Sequence, residues 1–222
     1  MSQNKSLQPM DWLKLGLVGL LLLATWLFAP HLFQKQSKPS TPSAPTSSVT
    51  SKQTGEVDVK QFTGKNFDVL PSMTEIAVEF VRVVDGDTIM VKLNGHELRT
   101  RYLMIDTPES VKEGLKPQPF GKDASHRNET LLKNAKKITM MFDKGPKADD
   151  YDRALTYIYA DGVLVSEQLL SEGLAAVSYV NPPNNTYEKQ LRDAQAKAKK
   201  QKIGIWSIPN YVNDKGKFNI QQ

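Results

Sequence analysis

Residues 74 to 210 predict an α+β domain, mainly β, in which five short strands form a barrel accompanied by three helices. Three observations carry that expectation. The β-branched runs EIAVEFVRVV (75–84) and DTIMVKL (87–93) meet at Asp85-Gly86, and Asn94-Gly95 turns the chain into ELRTRYLMI (97–105), giving a three-stranded meander. Two further runs of strand character, KITMMFD (137–143) and RALTYIYA (153–160), supply the fourth and fifth strands. The remaining segments carry helix start and stop signals instead.

In chain order, three prolines between 106 and 119 mark a loop after the meander, and a helix over 120–135 turns Ala124, Leu131 and Leu132 toward the core. Asp161-Gly162 closes the fifth strand. A short helix over 166–172 stops at Gly173, which suits a C-terminal cap. Asn185 followed three residues later by Glu188 resembles a capping box for a helix over 186–201, which ends before Gly204. Trp206 is expected to seal a core edge, and 211–222 reads as a tail. This order of elements suggests an OB-like barrel, although composition alone does not separate it from other small α+β folds.

The N-terminal quarter is of another kind. After a short tail (1–11), residues 12 to 29, WLKLGLVGLLLLATWLFA, are apolar apart from Lys14 and Thr25 and suffice for a helix of about 27 Å, enough to span a bilayer. An uncleaved signal anchor and a cleavable signal peptide are the two readings; Pro30 disfavours cleavage after Ala29. Residues 30 to 56, rich in Ser, Thr, Pro and Lys, form a spacer with little to bury, and 57–73 is either more linker or an extension of the domain. An anchor followed by a spacer implies a single-pass protein with its C-terminal domain outside the cell, or a secreted one if the segment is removed.

Composition narrows the chemistry. The chain has no cysteine and only three histidines, so thiolate sites and cysteine nucleophiles are excluded and any metal must be held by oxygen. The formal net charge is +5, but residues 1–56 hold five lysines against two acids, so most of the excess lies outside the domain. Bulk charge is therefore no argument for a nucleic-acid substrate.

A site has to supply that argument. Asp85-Gly86-Asp87-Thr88 lies at a strand junction and Arg101-Tyr102-Leu103-Met104-Ile105-Asp106-Thr107-Pro108-Glu109 at the end of the third strand. Each string alone could be a turn or a strand terminator. A meander brings Asp87 beside Asp106, and two carboxylates with the Thr107 carbonyl and waters make an all-oxygen site for a hard cation such as Ca²⁺. Glu109 lies just beyond and can serve as general base. Arg101 stands five residues before Asp106, a spacing that puts them on opposite faces of a regular strand, so a bulge or twist is needed to join them. Arg153, in the loop Asp149-Asp150-Tyr151-Asp152-Arg153, offers a second guanidinium for a phosphate.

The blocks DGDT, RYLMIDTPE, DRALTYIYADG, EGLAAVSYV, NPPNNTYEKQLRDAQAKAKK and IW, in this order, resemble the staphylococcal nuclease (thermonuclease) family over about 75–207. The resemblance implies an OB-fold barrel with three helices, one catalytic Ca²⁺, and hydrolysis of DNA and RNA leaving 3′-phosphate ends. It assigns Asp87, Asp106 and the Thr107 carbonyl to the metal, Glu109 to general base, Arg101 and Arg153 to the phosphate, Tyr151 and Tyr179 to the nucleotide pocket, and Asp85 to the outer shell of the metal. A monomer is expected. The chain departs from the family pattern at Asp150, where a lysine stands in the founding member, at Asn181 for a second tyrosine, and at Asp152 and Ala154 for glycines. These departures bear on nucleotide affinity. The competing reading is a catalytically inactive OB-fold module that binds nucleic acid or protein.

Overall fold

The computed structural model describes residues 57–110 and 116–219. The expected membrane segment at 12–29 and the spacer at 30–56 lie outside the described residues, among which no helix is long and apolar enough to cross a membrane. The strands are β1 (Ile76–Ala77), β2 (Glu79–Asp85), β3 (Thr88–Leu93), β4 (His96–Tyr102), β5 (Ile105–Asp106), β6 (Ile138–Phe142), β7 (Ala154–Ala160), β8 (Val163–Leu164) and β9 (Ala176–Val177). The helices are α1 (Gly121–Asn134), α2 (Val165–Ser171) and α3 (Glu188–Gln201). The fold is thus mixed α+β, mainly sheet, with three helices among the described residues.

The five longer strands, β2, β3, β4, β6 and β7, fall on the five expected runs, but two of those runs are broken. The run 75–84 divides at Val78: β1 pairs with β6, whereas β2 pairs with β3. The main sheet has the order β1-β6-β7-β4-β3-β2, with β8 beside β7. Its two end strands are therefore consecutive in the chain, separated by Val78, whose N–H donates to the Ile138 carbonyl at 3.1 Å. Two register shifts in β2 add to the curl of the sheet. No ladder joins β1 to β2 among the described residues, so the sheet bends around on itself without the closed five-stranded ring expected from the sequence.

The second break lies at Leu103 and Met104. β4 ends at Tyr102, Met104 takes a left-handed φ of 60°, and β5 leaves the main sheet to pair with β9. The third strand of the meander is therefore shorter than the run 97–105.

Burial alternates along β4 and is continuous along β6. Ile89, Val91, Leu98 and Tyr102 face inward from β3 and β4, and every residue of β6 is buried. Leu132, Leu169 and Leu191 bring the three helices onto this core. Each such side chain contributes about 1.5–3 kcal/mol by leaving water. Phe62, Phe67 and Leu70 join the same core, and Asn94 Nδ2 donates to the Phe62 carbonyl at 3.1 Å. α3 begins at Glu188, two residues later than expected, because Asn185 Nδ2 donates to the Glu188 carboxylate at 3.2 Å and its side chain caps no helix N–H. Trp206 is half-buried against a smaller cluster of Ala176, Ile205 and Tyr211.

One buried carboxylate ties three of these parts together. Asp143, at the end of β6, accepts hydrogen bonds from Tyr157 Oη at 2.6 Å, from the Thr186 hydroxyl at 2.6 Å and N–H at 2.9 Å, and from the Lys144 N–H at 2.8 Å. Burial alone would raise its pKa, but these donors outweigh burial and hold it below the ordinary value of 3.8.

Asp143→Ala is expected to cost about 2–4 kcal/mol, because it strands the Tyr157 hydroxyl and the Thr186 amide, and to lower the melting temperature by roughly 10 °C. A thermal scan within about 2 °C of the parent would contradict this. A folded-state pKa below the unfolded value means that the stabilisation is complete above pH 3.8 and fades as the pH falls below it. The gap in melting temperature between the two proteins should narrow over that acid range.

Candidate active site

The turn between β2 and β3 is short: Asp85 pairs directly with Thr88, leaving Gly86 and Asp87 at its tip. Gly86 is required there, since a Cβ would lie 2.6 Å from the Thr107 hydroxyl and 2.9 Å from the Ala124 methyl. The tip is held by Asn128 of α1, whose Nδ2 donates to the Gly86 carbonyl at 3.0 Å while its Oδ1 accepts from Tyr102 Oη at 2.8 Å. Asp87 is thereby buried at 4% exposure, with its Oδ2 accepting the Thr107 N–H at 3.1 Å and its Oδ1 the Thr88 hydroxyl at 3.0 Å.

Arg101 joins this turn to the next. Its guanidinium contacts Asp87 Oδ1 through one terminal nitrogen, and with the other donates to Asp106 Oδ1 at 2.9 Å and to the Ile105 carbonyl at 3.1 Å. The five-residue spacing is reconciled by the turn at Leu103-Met104, which carries Asp106 back onto the face from which Arg101 projects. Burial lowers the Arg101 pKa, Asp106 opposes that by Coulomb attraction and a hydrogen bond, and the nearby charge of Arg153 lowers it again.

Arg153 arrives from the parallel ladder. β7 runs alongside β4 in parallel, with Thr100 opposite Ala154 and Arg101 opposite Leu155, so Arg153 enters the sheet at the same end as Arg101. Asp149 fixes it: Oδ2 accepts from Arg153 Nε at 2.7 Å, and Oδ1 from the Arg153 N–H at 3.0 Å. Burial pushes the Asp149 carboxyl up, but bonds from the Arg153 side chain and from the Arg153 and Tyr151 amides prevail, leaving it below the ordinary range. The guanidinium lies 5.5 Å from the centre of the Tyr151 ring, and that of Arg101 5.6 Å from the Tyr179 ring. Asp152, where the family pattern has glycine, has a φ of 57°, a conformation Asp tolerates better than most residues.

Glu109 follows the Asp106 turn, and its backbone is clamped on both sides. Its N–H donates to Gln118 Oε1 at 2.9 Å and its carbonyl accepts the Gln118 N–H at 2.9 Å. Asp85 Oδ1 accepts from the hydroxyl of the next residue, Ser110, at 2.6 Å, which ties the β2–β3 turn to the Glu109 loop. All nine residues singled out from the sequence, Asp85, Asp87, Arg101, Asp106, Thr107, Glu109, Tyr151, Arg153 and Tyr179, line one cleft of about 670 Å³.

The donor set fits a hard cation. Asp87 and Asp106 share one partner, and the buried Thr107 hydroxyl has no hydrogen-bond partner in the protein. Among the described residues no three acidic or imidazole side chains form a metal-holding group by themselves, so backbone carbonyls and water would have to complete the shell. Arg101 is the shared partner of these two carboxylates in this structure.

Sequence reasoning missed two cations here. Arg99 lines the cleft from β4, two residues before Arg101 and on the same strand face, an i, i+2 relation that the sequence does contain. Lys217 donates to Asp106 Oδ2 at 3.3 Å from 111 residues away, and no local signal announces it.

Comparison with known proteins places the chain among nucleases by sequence. The sequence profile of the family described as Staphylococcal nuclease homologue matches residues 99–208. The chain is 49% identical over 144 residues to the SPbeta prophage-derived endonuclease YokF of Bacillus subtilis (strain 168), a match covering 65% of this chain and 48% of that protein. It is 47% identical over 144 residues to Endonuclease YncB of the same organism, covering 65% of this chain and 67% of the relative. With the Thermonuclease of Staphylococcus hyicus it shares 38% identity over 138 residues, covering 62% of this chain and 80% of the relative. The chain thus spans about half the length of the prophage-derived relative and a larger share of the other two.

The clamp on Glu109 rests on Gly121, the first residue of α1, where a Cβ would overlap the Glu109 carbonyl oxygen and meet the Pro108 carbonyl oxygen at 3.0 Å. Both obstacles are backbone and cannot rotate aside. Gly121→Ala is expected to cost about 1–3 kcal/mol and to shift the amide resonances of Glu109 and Gln118. Unchanged melting together with unchanged resonances would show that the helix start has slack.

Proposed function

The chain belongs to the staphylococcal nuclease family, and from that premise we propose that it is a calcium-dependent nuclease hydrolysing DNA and RNA to products with 3′-phosphate ends. The observation that carries this reading is the convergence of Asp87, Asp106, Arg101, Arg153 and Glu109 on a single cleft. Two carboxylates, two guanidinium groups and a separate acid are what in-line hydrolysis of a phosphodiester needs.

Each residue then has a task. Asp87 and Asp106, with the Thr107 carbonyl, would hold the cation, which when bound supplies Lewis-acid polarisation of a phosphate oxygen. Glu109 orients a water and takes its proton as the water oxygen bonds to phosphorus. The bond from phosphorus to the 5′ oxygen breaks, and that oxygen is protonated by water. Arg101 and Arg153 donate to the non-bridging oxygens, where charge grows in the transition state. Tyr151 and Tyr179, at 79% and 56% exposure, offer open rings against which a base can stack. Asp85 acts indirectly, through the Ser110 bond that steadies the Glu109 loop. The apolar run at 12–29 and the spacer after it support display of this domain outside the cell on a membrane tether.

Several expected outcomes separate this reading from a binding module without activity. Chelation should abolish cleavage of single-stranded DNA, and Ca²⁺ should restore it where Mg²⁺ does not, because calcium tolerates irregular oxygen shells with bonds of about 2.3–2.6 Å. Arg101→Ala or Arg153→Ala should slow turnover by roughly 10²- to 10³-fold, about 3–4 kcal/mol. Glu109→Gln should lower turnover sharply and leave calcium-dependent oligonucleotide binding within a few-fold. Binding without any cleavage by the parent protein would establish the inactive module instead. For the topology, protease added to intact cells should release the domain, and full protection would refute the outward placement.

A further inference from the structure

Beside the cleft lies a segment that the family profile does not reach. The profile match ends at residue 208, yet residues 211–219 fold back over β9 and bring Lys217 to the site. The turn is built for the purpose. Val212 and Phe218 bridge, Asn213 exchanges backbone hydrogen bonds with Gly216 and Lys217 at 3.0 Å, and its Oδ1 accepts the Lys217 N–H at 3.0 Å. Tyr211 is buried and donates to the Pro119 carbonyl at 2.9 Å, while the Ser178 hydroxyl donates to the Lys215 carbonyl at 3.2 Å. Gly216, with a φ of 71°, lies so close to the Val177 carbonyl oxygen that a Cβ would overlap it. The turn therefore rides on β9, whose Ala176 pairs with Asp106 itself.

The lysine that this turn delivers stands beside a cleft whose own side chains include more carboxylates than arginines. Five carboxylates line the cleft (Asp85, Asp87, Asp106, Glu109 and Asp149) against three arginines, of which Arg101 is committed to Asp87 and Asp106, and Arg153 to Asp149. A polyanionic strand entering such a cleft needs more positive charge. Lys217 Nζ lies 2.9 Å from the centre of the exposed Tyr179 ring, and its bond to Asp106, at 3.3 Å, is long for a charge-assisted pair. The side chain is 37% exposed, so a ligand can reach it beside Asp106 and Tyr179. Resting on the nuclease reading, we propose that Lys217 is a substrate-binding residue that contacts a backbone phosphate of the nucleic-acid strand, and that residues 211–219 extend the cleft on the side of Asp106 and Tyr179.

The test uses the full chain carrying Glu109→Gln to slow cleavage, with calcium present, and a fluorescein-labelled single-stranded DNA oligonucleotide as probe. Anisotropy titrations over a range of salt should show Lys217→Ala binding about 5-fold more weakly at low salt, with the log–log salt slope reduced by about 0.7, as for one lost phosphate contact on a single strand. Lys217→Arg should retain the slope, because the charge is kept. Unchanged affinity and slope in a protein whose parent cleaves DNA would overturn the role of Lys217 and leave the nuclease reading standing. A lowered melting temperature with an unchanged slope would likewise overturn it, since the lysine would then be structural. A parent chain that neither cleaves nor binds would bring down both.

Discussion

The break in the third strand at Leu103 and Met104 is the constraint on which the site depends. An unbroken strand would send Arg101 and Asp106 to opposite faces. Instead Met104 adopts a left-handed backbone, a conformation costing about 1 kcal/mol for a non-glycine residue, and the fold secures it from both sides. The Leu103 N–H donates to the Thr156 carbonyl at 3.0 Å, and the Met104 carbonyl accepts the Ser178 N–H at 3.0 Å. Those bonds join the main sheet to the β5–β9 pair. Asp106, Thr107 and Glu109 all follow the break, so their approach to Asp87 is decided by one turn and not by each side chain separately.

Charge in the cleft is held in shared ion pairs. In this structure Arg101 is shared by two carboxylates, and Arg153 is held by one. Burial is the largest effect on Arg101 and lowers its pKa, and Asp106 opposes it only in part. A divalent cation at Asp87 and Asp106 would take over their charge and leave the guanidinium to an anionic ligand.

What was legible in the sequence was whatever rests on local periodicity or a short motif. The five longer strands, the three helices and the Asp-Gly-Asp turn were readable because alternation, glycine and proline punctuation and β-branched runs act over a few residues. The division at Val78 was not, since EIAVEFVRVV is an uninterrupted β-branched run and only its pairing with β6 on one side and β3 on the other divides it. Asn185 and Glu188 have capping-box spacing, yet their side chains bond to each other and the helix starts later. The family resemblance supplied the site residues, while Arg99 and Lys217 escaped because neither belongs to its motifs. Residues 211–219 looked like a tail for want of a long apolar run, and what anchors them is Tyr211 with backbone contacts to distant elements.

The cleft also divides by rigidity in a way that fits its two demands. Asp87 and Thr107 are buried and fixed by backbone bonds, and Arg101 is nearly so, which suits chemistry that tolerates little displacement. Tyr151 and Tyr179 are exposed on turns beside or at positive-φ residues, Asp152 at 57° and Tyr179 itself at 51°. Rings on such turns can accept any base by stacking, without reading its edge. Of the departures from the family pattern, Asp150, Asp152 and Asn181 fall in this outer half, whereas Ala154 is buried in the sheet opposite Thr100. On the proposed function, variation in the outer half would change how a strand is gripped while the groups assigned to bond breaking keep their positions, and the C-terminal turn that carries Lys217 is tied to the inner half through β9, whose Ala176 pairs with Asp106.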